Sequence, residues 1–90
     1  MKVLQTNSFM KAAKKLHANQ KVDLDEAVKA IINDPEIGQS KIGNLSGVKV
    51  YKFKMVKQLA LIAYTYESQA ITLMLLALGT RQNFYRDLEK

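Results

Sequence analysis

The chain has 90 residues, with one proline, no cysteine and a single histidine, His17. That length suits one small domain over residues 1–90, and the absence of cysteine excludes a disulfide framework, a thiolate nucleophile and a cysteine-bound zinc. Fourteen Lys and Arg against eight Asp and Glu give a formal net charge of +6, an excess that suits a polyanionic partner, either nucleic acid or an acidic protein segment.

The charge is uneven. From Lys41 to Lys57 there are five lysines and no acid, whereas Asp23 to Glu36 holds five of the eight acids. The apolar runs are too short to span a bilayer, and MKVLQTNS lacks the apolar core and cleavage site of a signal peptide. The expectation is a cytoplasmic protein with no membrane contact.

In chain order, KVLQT at residues 2–6 is a short edge strand. Thr6, Asn7 and Ser8 are N-cap candidates for a helix whose apolar residues Phe9, Ala13 and Leu16 recur at helical spacing. Lys11, Lys14 and Lys15 form its solvated side, and His17 suits its C-terminal end. After the polar break HANQK, Asp23 and Glu26 have capping-box spacing for a second helix. Leu24, Ala27, Val28 and Ile31 make its inward stripe. Asp34-Pro35 ends it, because a residue before proline is pushed out of the helical region. A short connection makes the two helices an antiparallel hairpin. EIGQSKIGNLSG, residues 36–47, reads as a connection.

Beyond it the period changes to two. In the stretch YKFKM, Tyr51, Phe53 and Met55 form an apolar set while Lys52 and Lys54 point to the other face. LALIAYTY, residues 59–66, is a second strand after a tight turn near Lys57 and Gln58. ITLMLLAL, residues 71–78, is apolar on both faces, short and bounded by turn residues, which selects a central strand over a buried helix. After Gly79, TRQNFYRDLEK forms a short C-terminal helix. The predicted fold is α+β: an N-terminal strand and a two-helix hairpin packed on one face of a three- to four-stranded antiparallel sheet. The lysines occupy the other face.

The chemistry is bounded by what is present. The four glycines, Gly38, Gly43, Gly47 and Gly79, match no phosphate-loop spacing. No acidic cluster offers a hard-cation site, since Asp23, Asp25 and Glu26 are explained by a helix start. No metal and no cofactor are expected. What remains is a set of cations and phenols: Lys49, Lys52, Lys54, Lys57, Arg81, Arg86, Tyr64, Tyr66 and Tyr85. Lysines at i and i+2 stand about 7 Å apart on one strand face, and an arginine brought alongside can hold a phosphate bidentately. Such a group can cut RNA without metal. One residue takes the 2′-OH proton, cations stabilise charge at phosphorus, and an acid protonates the leaving 5′-oxygen. On spacing alone, a basic face that only binds outranks a nuclease.

The segment SGVKVYKFKMVKQLALIAYTY, the ending LLALGTRQNFYRDL and the order of elements resemble the RelE/ParE superfamily of bacterial toxins. The YKFKM lysines and the interval from Arg81 to Tyr85 are more similar to the RelE and HigB messenger-RNA nucleases than to the ParE gyrase poisons. The resemblance implies a ribosome-dependent endoribonuclease that cuts mRNA in the ribosomal A site and arrests growth. Carried over, Lys52 and Lys54 are the paired strand lysines, Arg81 the transition-state arginine and Tyr85 the tyrosine that stacks on the substrate base. Lys49, Lys57 and Arg86 would contact RNA phosphates. Two positions depart from the pattern. Apolar Leu61 stands where RelE has a second strand arginine, whose charge Lys57 would supply, and Thr80 stands where a histidine is often found. The resemblance also implies a cognate antitoxin, an acidic protein that wraps the toxin. The alternatives are a ParE-like inhibitor of DNA gyrase and an inactive toxin relative that only binds antitoxin or RNA.

Overall fold

The computed structural model describes residues 1–40 and 47–80. In chain order they form β1 (Lys2–Gln5), α1 (Asn7–Lys14), α2 (Ala18–Asn33), β2 (Gln39–Ser40), β3 (Lys49–Met55), β4 (Gln58–Glu67) and β5 (Thr72–Thr80). The strands make one five-stranded sheet in the order β1-β5-β4-β3-β2. From β2 to β5 all neighbours are antiparallel, whereas β1 pairs with β5 in parallel, Lys2 opposite Thr72 and Gln5 opposite Leu75. The sheet is therefore mixed and larger than the expected three to four antiparallel strands. Parallel neighbours need a long connection between them, and everything from α1 to β4 serves as that connection here. The expected C-terminal helix lies outside the described residues.

Of the three N-cap candidates, Thr6 is the one that starts α1. Its hydroxyl accepts the Phe9 N–H at 3.1 Å and donates to the Leu76 carbonyl at 2.6 Å, so one side chain caps a helix and ties it to β5. The second helix begins earlier than its acids suggested. His17 is its N-cap, and its backbone N–H donates to Gln20 Oε1 at 2.8 Å. His17 thus opens α2 and does not close α1. Asp23, Asp25 and Glu26 fall beyond the first turn, which contains no acid. Their helix-dipole explanation fails, because the dipole acts only within the terminal turn. The far end is as expected: α2 stops at Asn33 with Asp34 as its C-cap.

Both helices cover one face of the sheet. Phe9, Leu24, Ala27 and Ile31 pack with Ile62, Tyr64, Leu73 and Leu75 in the main core. The opposite face is not simply wet. Val50, Leu61 and Ala63 form a second buried cluster there, flanked by Val48, Leu76 and Ala77. An irregularity in β5 divides the two sets: Ala63 pairs with Ala77 but Tyr64 pairs with Leu75, leaving Leu76 as the extra residue. A bulge of one residue switches faces for everything beyond it. Leu73 and Leu75 meet the helices before the bulge, and Leu78 does so after it.

Tyr64 fastens the connection after α2. Its hydroxyl donates to the Pro35 carbonyl at 2.7 Å and accepts the Gly38 N–H at 2.9 Å. The approach is so close that a Cβ on residue 38 would lie 2.5 Å from that oxygen, which is why glycine stands there. Burial raises the phenol's pKa above the usual tyrosine value, opposed by the Gly38 N–H and reinforced by Glu36 and Asp34. Removing the hydroxyl in Tyr64→Phe strands both backbone partners and is expected to cost about 1–3 kcal/mol, read as a lower urea midpoint at unchanged m-value. Because the folded pKa is raised, the phenol's contribution is complete below the unfolded value of about 10 and is lost as pH climbs through the folded one. Alkaline urea titrations of Tyr64→Phe should lack that component of the loss.

Candidate functional site

Alternation along β3 separates its side chains. Tyr51 and Phe53 lie half-buried on the helix side with rings stacked at a centroid distance of 6.2 Å and an interplanar angle of 11°. Lys52 and Lys54 are exposed on the other face, about 7 Å apart by strand geometry. Among the described residues neither has an ion-pair or hydrogen-bond partner. Sheet register sets what surrounds them. Lys52 stands opposite Leu61, which stands opposite Gly79, and Lys54 stands opposite Leu59. Leu61 is fully buried, so the row beside Lys52 carries no charge across β4 and β5.

Lys57 sits in the two-residue turn between Met55 and Gln58, exposed at the end of the lysine strand. Val56 precedes it at φ 62, an unfavourable conformation for a β-branched residue. Its N–H donates to Asp23 Oδ2 at 2.7 Å. The acid that sequence spacing assigned to a helix start instead holds the tip of the basic hairpin to α2. No local pattern could have shown this, because the partners are 33 residues apart.

Lys49 does not join the group. It shares the parity of Tyr51 and lies opposite Tyr64. Its ammonium pairs with Glu36 at 3.0 Å and donates to Ser40 Oγ at 3.0 Å, so it braces β2 against β3. Tyr64 is likewise taken up by the core and the Pro35–Gly38 contacts. Arg81, Tyr85 and Arg86 lie outside the described residues, which end at Thr80, opposite Ala60. Among the described residues no group of three or more His, Asp or Glu side chains is placed to hold a metal. The described part of the site is thus a short basic strip, Lys52, Lys54 and Lys57, on a floor with apolar neighbours.

Residues 3–89 match the family model of the ParE-like toxin of type II bacterial toxin-antitoxin systems. The chain belongs to that family. No curated protein sequence matches it, but solved structures do. The RelBE2 toxin-antitoxin complex from Mycobacterium tuberculosis is similar with a TM-score of 0.76 at 17% identity, over 89% of this chain and 96% of that one. A mutant of the Escherichia coli RelE toxin in the free state gives 0.74 at 12% identity, over 98% and 90%. The YoeB/ParE toxin from Agrobacterium tumefaciens gives 0.69 at 12% identity, over 90% and 99%. At such identities the likeness concerns the fold.

Left-handed backbone costs an ordinary residue about 1–2 kcal/mol, and asparagine tolerates it. Val56→Asn, which keeps the N–H to Asp23, is therefore expected to stabilise the protein by about 1 kcal/mol, or roughly 4–8 °C in Tm for a domain of this size. Asp23→Ala should act in the opposite direction by about 1–2 kcal/mol. It should also speed hydrogen exchange at the Val56 amide relative to its neighbours.

Proposed function

We propose that this toxin is a ribosome-dependent endoribonuclease that cleaves mRNA in the ribosomal A site and so arrests translation and growth. The observation that carries this reading is the pair Lys52 and Lys54, side by side and exposed on the face the helices leave free, with Lys57 at the end of the same hairpin. The reaction is attack of a 2′-OH on the adjacent phosphorus, giving a 2′,3′-cyclic phosphate and a free 5′-hydroxyl. In it one lysine takes the 2′-OH proton, and the other bonds the phosphate oxygens and gives a proton to the leaving 5′-oxygen. Arg81 stabilises the charge developing at phosphorus, and Tyr85 stacks on the base beside the cut. Lys57 and Arg86 hold flanking phosphates. Lys49, already engaged with Glu36, takes no direct part. The ribosome supplies in-line geometry, which lets so few groups suffice.

The partner in this reading is a cognate antitoxin with an acidic segment, as suits a chain of net charge +6. Similar folds are found in toxin-antitoxin complexes, among them that of Mycobacterium tuberculosis. The site of action is the cytoplasm, and among the described residues no helix is long and apolar enough to cross a membrane.

One observation favours a second reading, inhibition of DNA gyrase without catalysis. Leu61, uncharged and fully buried, occupies the row next to Lys52, and the matching family is described as ParE-like. Primer extension on a translated message, beside a gyrase supercoiling assay, separates the two. Cleavage is expected with wild type and should fall by about 10²-fold or more in each of Lys52→Ala, Lys54→Ala and Arg81→Ala. Intact messages together with inhibited supercoiling would transfer the assignment to gyrase.

A further inference from the structure

Away from the lysine strand, α1 and α2 part over the end of β1 and leave a cleft of about 380 Å³. Gln5 of β1 lines it, opposite Leu75, which faces the helices. The cleft therefore lies on the helix side of the sheet. Its apolar walls are Met10 and Ala13 of α1 and Leu24 of α2. It runs on into a hollow of about 330 Å³ that shares Gln5 and Asp25 and ends at Val28 and Lys29. The α2 residues that line the two, from Lys21 to Lys29, recur at three- and four-residue spacing, so one face of that helix builds the whole length. Volumes of this size take small molecules.

The charges are sorted along the cleft. Lys14, in the last turn of α1, and Lys21, near the start of α2, bring two ammonium groups to one end. From Met1 to Val22 there are five lysines and no acid, so nothing in that stretch neutralises them. Asp25 follows, four residues from Lys21 and four from Lys29, yet among the described residues it forms no ion pair. Its exposed carboxylate is left to accept hydrogen bonds from a ligand. A bare anion would meet repulsion from Asp25, and a wholly apolar ligand would strip water from three charges without replacing it. The ligand that fits has an anionic end, a flat body with apolar faces, and hydrogen-bond donors on its far edge.

We propose that the cleft between α1, α2 and β1 binds a guanine nucleotide. The phosphate lies between Lys14 and Lys21, where charge-assisted hydrogen bonds are strongest. The purine lies against Met10, Ala13 and Leu24. Its N1–H and 2-amino groups donate to the Asp25 carboxylate, while the Gln5 amide serves the neighbouring O6. Adenine lacks that pair of donors, so Asp25 selects guanine. Lys29 remains for a second phosphate, which a nucleotide within an RNA strand carries and a free monophosphate does not. The site shares no residue with the lysine strip of the nuclease reading and lies on the opposite face of the sheet.

The experiment titrates guanosine 5′-monophosphate into the full chain and follows amide and methyl NMR shifts. In wild type the shifts should gather at Met10, Ala13 and Leu24, with adenosine 5′-monophosphate binding about tenfold more weakly. Lys14→Gln and Lys21→Gln should each weaken binding about tenfold. Lys11→Gln, which removes a lysine of α1 that does not line the cleft, should leave it unchanged. Asp25→Asn should erase the preference for guanine. Guanosine 3′,5′-bisphosphate identifies the source: tighter binding that Lys29→Gln removes assigns a nucleotide within RNA, and equal binding assigns a free nucleotide. No shifts at the cleft would leave it to a partner helix and overturn the proposal. Equal weakening by Lys11→Gln would do the same, since it reduces binding to general attraction by a basic chain. So would indifference between guanine and adenine, or cleft shifts that follow protein concentration alone and place a second copy there. None of these readouts involves message cleavage, so primer extension stands or fails separately.

Discussion

Which side chains meet the helices in the second half of the sheet depends on one inserted residue, Leu76. Without it, strict alternation would carry Ala77 and Gly79 to the helix face and send Leu78 to the lysine face. With it, Leu78 completes the core that Leu73 and Leu75 began, and Gly79 comes to lie in the row of Leu61 and Lys52. A bulge leaves part of the ladder unpaired, and here the Thr6 hydroxyl accepts that consequence by donating to the Leu76 carbonyl. The start of α1, the register of β5 and the make-up of the basic face are thus joined through one side chain.

The small size of the domain explains why the basic face must be economical. Two helices can cover only one side of the sheet, so β3 supplies core from Tyr51 and Phe53 and function from Lys52 and Lys54 in the same few residues. Much of the surrounding polar structure is brace. Tyr64 holds Pro35 and Gly38, Glu36 holds Lys49, and Asp23 holds the hairpin tip. These contacts fix where Lys52 and Lys54 stand. Relatives at 12–17% identity keep the fold, which fits a scaffold defined by alternation and packing more than by particular residues.

How far the sequence anticipated this follows from the range of each interaction. Local signals were readable: the Thr6 cap, the stop at Asp34-Pro35, the two-period stretch of β3 and the strand character of β5. Parity also determined Lys49, since the alternation that places Lys52 on one face places Lys49 on the other. Grouping lysines by nearness in sequence obscured it. Pairing direction was not readable, because the union of β1 with β5 is made across most of the chain. Nor was the role of Asp23. Its spacing to Glu26 imitates a cap, while the true start of α2 is set by Gln20 reaching back to His17. The second apolar cluster around Leu61 was missed because period two marks a face as apolar without saying whether it is covered.

The contact between Asp23 and Val56 also bears on the order in which the chain can fold. A two-residue turn led by a β-branched residue in left-handed backbone is a poor nucleus, so the β3–β4 hairpin gains little from being local. The tip of the lysine hairpin therefore cannot be secured before α2 is in place to accept the Val56 N–H. The surface that meets the outside world is completed only after the core that supports it.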